Sequence, residues 1–334
     1  MNTKQFPVQF SVLSAIALQE QILSKYPIKK PLKCHFYTQG VNDIYIVYSS
    51  INKYFLRVST TNWRTKEEIE AEVMLLNYLD ENDIPVVTPV KDNNGQCIQE
   101  ILAPEGIRYA VLFTEAKGKY KDNLSKSQNK NLGNIIARFH TYTDYIEADI
   151  KRFQLDLSYL VDIPLKIAKP YFKNFKKDYE TMVGVGNQLK EYIKKNLTMS
   201  KPEFGICHGD LHRGNIHINS DDNSITLFDF DCFGYGWRSY DISVYLWNHQ
   251  SDQPVPKDCD LKQKQWDDFL SGYNEIRPLS TNEIKGTSAF VAIRSIWLLG
   301  VQLESLNRNQ GCDWLDDKYF DYQIDFIEKW AKLI

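Results

Sequence analysis

The chain has 334 residues, long enough to bury a large core and to divide into two parts. With 43% hydrophobic and 25% charged residues it has an ordinary globular composition. A net charge of -3 and the lack of a Lys/Arg stripe interleaved with aromatics exclude a nucleic-acid footprint. The six cysteines, at 34, 97, 207, 232, 259 and 312, form no CxxC pair, so reduced thiols in a cytoplasm are expected rather than a disulfide framework.

Val8 to Leu18 is apolar but interrupted by Gln9, Ser11 and Ser14, and no basic start or cleavage site frames it as a signal peptide. Ser11 to Tyr26 is predicted as an amphipathic helix, with Val12, Ala15, Ile16, Leu18, Ile22 and Leu23 covering a sheet. Cys34 to Ser59 is predicted as strands with a turn near Ser50 to Lys53, and Thr38 to Asp43 forms a loop around Gly40 and Asn42. A helix follows from Thr65 to Leu79. Its apolar face is Ile69, Val73, Leu75, Leu76 and Leu79, and Glu72 falls inside that face with Glu68 near its edge. A carboxylate in an apolar face needs a partner, and Arg57 on the preceding strand is the candidate.

Ile84 to Pro89 leads into further strands, with a turn at Asn93, Asn94 and Gly95. Tyr109 to Thr114 is an apolar strand, broken by Glu115 to Tyr120 at a lobe boundary. Ser125 and Gln128 form a capping box for a helix carrying Leu132, Ile135, Ile136, Phe139 and a core histidine, His140. Leu157 to Ile167, punctuated by Pro164 and Pro170, and Asp178 to Leu197 are predicted helices, with a solvated lysine face that includes Lys173 and Lys190. Gly234 to Ser239 is predicted as a turn-rich loop feeding a helix from Tyr240. Lys262 to Tyr273, Asn282 to Leu306 and Trp314 to Ile334 complete a helical region. Phe290 to Val301 is its most apolar part, but it contains Arg294 and is too short to span a bilayer.

Chemistry concentrates in His208 to Asp231, HGDLHRGNIHINSDDNSITLFDFD. Two short strand-like runs, Ile216 to Asn219 and Ile225 to Phe228, are joined by Ser220 to Ser224 into a hairpin that brings the loop of Asp210 and Asn215 toward Asp229. A carboxylate, an amide oxygen and a second carboxylate suit phosphoryl transfer. One carboxylate orients an attacking hydroxyl, and hard oxygens hold Mg²⁺ on the phosphates. Asp210 and Asn215 have the D-x-x-x-x-N spacing of the protein-kinase catalytic loop.

HGDLHRGN followed by LFDFD resembles the signature of the aminoglycoside phosphotransferase family of small-molecule kinases, whose relatives include homoserine kinase-like, choline kinase-like and bacterial stress-response kinases. The resemblance implies a protein-kinase-like two-lobe α+β fold. Residues 1–115 would be a nucleotide-binding lobe of antiparallel sheet plus helix, and residues 116–334 a mostly helical lobe with the catalytic loop and acceptor site. It implies transfer of the γ-phosphate of ATP, or of GTP, to a hydroxyl of an aminoglycoside, an amino alcohol or a homoserine-like molecule. Asp210 would be the catalytic base, Asn215 and Asp229 would bind Mg²⁺, and Asp231 would either assist at the metal or be an acid on the surface or behind the ligands. His208 would brace the loop, as would Asp241. Gly40 and Asn42 would lie over the nucleotide phosphates, Arg57 would hold them in place of the usual Lys with Glu72 orienting it, and the backbone from Thr114 to Ala116 would meet adenine. Trp237, Trp247, Asp313, Asp316 and Asp317 would suit a cationic acceptor. No nucleic-acid or membrane partner is expected.

Other readings stand beside this one. Gly209-Asp210-Leu211-His212 fits a fragment used by metallophosphoesterases, but the GDxxDRG and GNH blocks of those enzymes are missing. His208, His212 and His217 could form a zinc site, although no Cys pair or HExxH helix supports one. A protein Ser/Thr kinase and a nucleotide-binding scaffold without turnover remain open; Arg57 in place of Lys leaves room for the latter.

Overall fold

Alternating apolar residues in the N-terminal third fold into a five-stranded antiparallel sheet. The computed structural model describes residues 6–30, 32–148, 150–172, 176–250, 260–305 and 315–334. The chain divides into two units, Met1–Lys117 with Thr226–Phe228, and Gly118–Ile225 with Asp229–Ile334.

The first unit begins with α1 (Ala15–Gln21) and continues through β1 (Lys33–Gln39), β2 (Asp43–Tyr48), β3 (Lys53–Val58), α2 (Lys66–Glu81), β4 (Ile98–Ala103) and β5 (Gly106–Thr114). The sheet order is β1-β2-β3-β5-β4. Tyr45, Val47, Leu56, Val58, Ala110 and Leu112 are buried together with Leu18, Ile22 and Leu23. The helix expected over Ser11 to Tyr26 is shorter because Ser14 caps its start by accepting the Ala17 N–H at 3.3 Å. Val12, before the cap, stays exposed, and Ile16 lies on the exposed face of α1. Thr65 and Glu68 form a capping box that fixes the start of α2. Arg108 is buried on β5, where it pairs with Asp43 at 2.7 Å and donates to the carbonyls of Ser59 and Ser11 at 2.7 Å each. The hairpin residues Thr226–Phe228 join this unit through Leu227, whose N–H donates to the Pro85 carbonyl at 2.8 Å and whose carbonyl accepts from Val87 N–H at 3.0 Å.

The second unit is mostly helical. It contains α3 (Lys126–Thr143), β6 (Gln154–Leu155), α4 (Ile163–Ala168), α5 (Lys176–Asn196), β7 (Phe204–Cys207), β8 (Ile216–Ile218), β9 (Ile225–Leu227, in part), β10 (Gly234–Trp237), α6 (Arg238–Gln250), α7 (Asp260–Ile276), α8 (Thr281–Glu304) and α9 (Asp317–Ala331). The capping box expected at Ser125 and Gln128 starts α3. Pro164 lies in the first turn of α4, which continues directly from a wider helical turn over Ser158–Asp162. The segment expected as a loop at Gly234 is instead β10, paired antiparallel with β7 and parallel with β6. Its glycines permit this: a Cβ at Gly234 would lie 2.8 Å from the Phe153 carbonyl oxygen, and one at Gly236 would lie 2.9 Å from Leu155 Cβ.

Helices α3 and α7 touch backbone to backbone. A Cβ on Gly133 would sit 2.0 Å from the Phe269 oxygen, and one on Gly272 would sit 1.9 Å from the Lys130 oxygen. By length and composition α8 could cross a membrane, contrary to the expectation of a shorter apolar run. It is the core helix of this unit: Phe290, Val291, Ala292 and Ile293 are each 0% exposed. Leu306, Trp314, Lys173, Cys259 and Cys312 lie outside the described residues.

Candidate active site

Strand β7 delivers the chain into the loop Cys207-His208-Gly209-Asp210. Gly209 has φ +79, and a Cβ there would fall 2.0 Å from the Cys232 carbonyl oxygen, so only glycine fits. The loop therefore lies against the segment after Asp229, and the His208 ring packs on Phe230 with centroids 4.2 Å apart. Buried Asp241, in the first turn of α6, accepts the backbone N–H groups of His208 and Gly209, at 2.8 Å each. His140 on α3 bonds Asp241 through Nε2 at 2.9 Å and the Tyr273 hydroxyl of α7 through Nδ1 at 2.7 Å. Burial, aided by the charges of Arg238 and Arg277, holds the His140 pKa well below the ordinary imidazole value. The bracing expected of Asp241 and the core role expected of His140 are therefore one network.

Asp210 follows directly. Its N–H points to His208 Nδ1 at 3.3 Å. Asn215 Nδ2 donates to the Asp210 carbonyl at 2.9 Å and approaches Oδ2 at 3.3 Å, and His212 Nε2 lies 3.5 Å from Oδ2. Oδ1 pairs with Arg294 Nη2. Burial would raise this carboxyl's pKa, but the Arg294 guanidinium, with His212 and His208 beside it, outweighs burial and holds it well below the usual carboxylate range. Asp210 is thus ionised at neutral pH.

The tie from Asn215 Nδ2 to Asp210 leaves the amide oxygen of Asn215 as its remaining ligand atom. Asp229 sits in the left-handed region (φ 63, ψ 61) at the start of a short turn, and Asp231 in that turn is buried rather than a surface acid. Arg152 fastens this turn by donating to the carbonyls of Phe233 (2.7 Å) and Asp231. An amide oxygen and carboxylates are hard donors, which fit Mg²⁺ and not a soft metal.

In the first unit Arg57 and Glu72 meet as a buried two-pronged pair, Nη1 to Oε1 at 2.8 Å and Nη2 to Oε2, with the guanidinium 5.0 Å from the Phe113 ring centroid. Gly40 sits between β1 and β2, its N–H donating to the Asn42 carbonyl at 3.0 Å; a Cβ there would meet nothing within 4 Å. Asn42 is buried, and its Oδ1 accepts the Thr60 N–H at 3.4 Å. Thr114 donates its N–H to the Thr88 carbonyl at 3.0 Å and accepts the Thr88 N–H on its hydroxyl at 2.9 Å, so its own amide is not available to a base. Ala116 is buried just beyond.

Among the described residues, the group close enough to hold a metal through His, Cys or carboxylate atoms is His140, Cys207 and Asp241. Both His140 nitrogens and both Asp241 oxygens already have partners, and burial raises the Cys207 thiol pKa, so this is a hydrogen-bonded brace. The zinc reading of His208, His212 and His217 fares no better: His208 Nδ1 and His212 Nδ1 face the amides of Asp210 and Gly214. The aromatics and acids expected to suit a cationic acceptor stand in different places. Trp237 is buried against Phe204 and Phe290, Trp247 donates to the Ser295 hydroxyl at 3.0 Å, and Asp316 caps α9 with Asp317 in its first turn. Asp313 lies outside the described residues. Arg294 carries no signal in the sequence, because a lone arginine in an apolar run belongs to no motif.

Residues 38–279 match the family model described as phosphotransferase enzyme family. An uncharacterised protein of Synechocystis is 33% identical over 97% of this chain and 87% of its own length. The amicoumacin kinase of Bacillus subtilis is 24% identical, covering 87% of each chain. A solved amicoumacin kinase, in complex with AMP-PNP, Ca²⁺ and Ami, superposes with a TM-score of 0.77 at 21% identity, over 95% of this chain and 92% of that one.

Proposed function

The chain belongs to the phosphotransferase enzyme family, an ATP-dependent kinase of a small-molecule hydroxyl on a protein-kinase-like fold, and we propose how its residues divide that reaction. The acceptor hydroxyl donates its hydrogen bond to Asp210, and its oxygen attacks the γ-phosphorus in line. The bond from that phosphorus to the bridging oxygen breaks, ADP leaves, and the hydroxyl proton passes to Asp210. Asp210 orients the hydroxyl and takes its proton late, as suits a loose transition state. Asn215 and Asp229 would hold Mg²⁺, which when bound neutralises charge on the β- and γ-phosphate oxygens. Arg57, oriented by Glu72, grips the donor phosphates, with the loop of Gly40 and Asn42 over them. The backbone beyond Thr114, at Ala116, meets the purine of ATP or GTP. A cytoplasmic setting, where ATP is supplied, suits this chemistry.

The observation that carries the proposal is Asp210, braced by Arg294 and tied to Asn215 five residues on. ADP release should be measured with MgATP and MgGTP against aminoglycosides, amicoumacin, amino alcohols and homoserine, with water as the background acceptor. Asp210→Asn should lower turnover about 10³-fold, the weight of a positioned base. It should also keep the thermal shift induced by MgATP, whereas Asp229→Ala should lose the Mg²⁺-dependent part of that shift. Unaltered turnover in Asp210→Asn would overturn the assignment.

A further inference from the structure

Asp210, the residue that orients the acceptor in the reading above, is held from both sides. Its Oδ2 faces Asn215 and His212, both from its own loop. Its Oδ1 is held from elsewhere, by Arg294 in the middle of α8. Arg294 is 3% exposed, and its Nη1 also donates to the Gly209 carbonyl at 3.3 Å, so one guanidinium grips two consecutive residues of the loop. The guanidinium plane is fixed in turn. It lies 4.3 Å from the Trp297 ring centroid and 5.5 Å from that of Trp247, and Trp247 is anchored to Ser295 on the same helix.

Core packing does not ask for this residue. The four residues before Arg294 on α8, Phe290 to Ile293, are fully buried apolar side chains, and a buried charge beside them is costly unless its partner geometry is good. What the arginine provides is direction. A carboxylate held at Oδ2 alone can still swing about its χ2 torsion; one held at both oxygens cannot. Transfer of a phosphoryl group in line depends on where the acceptor oxygen sits, and that oxygen takes its place from the Asp210 carboxylate.

We propose that Arg294 is a positioning residue for phosphoryl transfer: it fixes the plane of the Asp210 carboxylate from α8, so that the acceptor hydroxyl is presented in line. The inference rests on Asp210 being the residue that orients the acceptor. It also means that the cation facing the Trp247 and Trp297 rings is the protein's own.

The test is a kinetic cycle on the full chain: wild type, Asp210→Asn, Arg294→Met, Arg294→Lys and Asp210→Asn/Arg294→Met. ADP release is followed with water as acceptor and with the best acceptor of the panel above, and MgATP binding is measured by titration. Arg294→Met should lower kcat about 100-fold, the usual cost of a misplaced reacting group, with KM for MgATP within about threefold of wild type. Arg294→Lys, which keeps the charge but not the fork, should recover about tenfold of that loss. Adding Arg294→Met to Asp210→Asn should cost nothing more, because the arginine acts through the carboxylate. If Arg294→Met does not fold, the Lys variant and the double variant, which leaves neither charge unpaired, decide the matter. Wild-type kcat in the arginine variants, or a double variant whose loss is the product of the two single losses, would overturn the positioning role alone. Full turnover in Asp210→Asn, or none in wild type with any acceptor, would overturn the catalytic assignment and this inference with it.

Discussion

Glu72 is 1% exposed, and the Arg57 guanidinium is bonded to its carboxylate. Deleting one member of such a pair strands the other in a dry site. Glu72→Ala should therefore destabilise the protein by about 3–5 kcal/mol, read from a denaturant midpoint, whereas Arg57→Met with Glu72→Leu should restore most of the loss. A full loss in the double variant would mean that the pair contributes through something other than charge compensation.

His140 makes a second residue-level argument, with a sign that can be worked out. The folded protein keeps the ring neutral well below the ordinary value, and the unfolded chain protonates it near 6.5. Below that pH the unfolded state binds more protons, so stability is intact above it and falls as the pH drops toward the folded-state value. The slope is at most about 1.4 kcal/mol per pH unit for one proton. Thermal midpoints between pH 7.5 and pH 5 should fall more steeply in wild type than in His140→Gln. Parallel profiles would assign the acid sensitivity to another group.

At the scale of elements, the contact between α3 and α7 matters because those helices carry His140 and Tyr273 to the brace under the catalytic loop. Gly133→Ala forces a methyl into the Phe269 carbonyl, so the helices must part. A loss of about 1–3 kcal/mol is expected from urea unfolding. Gly184 on α5 is the control: it is exposed with nothing within 4 Å, so Gly184→Ala should add about 0.5–1 kcal/mol through helix propensity. Equal effects of the two substitutions would deny the close contact. The elements were legible where their signals are local. The Ser125 capping box and the apolar face around Glu72 are periodic or positional and were read from sequence. Strand β10 was not, because Gly234 and Gly236 look like turn residues until Phe153 and Leu155 arrive from 80 residues away to need the room. The start of α1 was misplaced for a related reason: the cap at Ser14 outweighed the apolar run on either side of it.

At the scale of the whole molecule, the reaction class was legible because Asp210, Asn215 and Asp229 lie within 20 residues and their spacing is fixed by one hairpin. The residues that hold them were less so. Asp241 could be assigned only through the family resemblance, and Arg294, 84 residues beyond Asp210, reads in sequence as a flaw in an apolar helix. Trp237 is a core residue and Trp247 a half-buried one beside Arg294, a difference the sequence does not show because aromatics that line a core and those that line a site have the same composition.

The three residues Thr226–Phe228 have a consequence for how the protein is made. They complete the first unit at Pro85 and Val87, yet they follow residue 117 by roughly 110 residues. A ribosome adding about 5–20 residues per second needs on the order of ten seconds to deliver them. For that interval the emerging N-terminal sheet has its α2 helix and its strands but lacks the backbone partners of Pro85 and Val87. Its last seam closes only once the hairpin has left the tunnel, so completion of the N-terminal unit waits on synthesis of residues beyond Asp229.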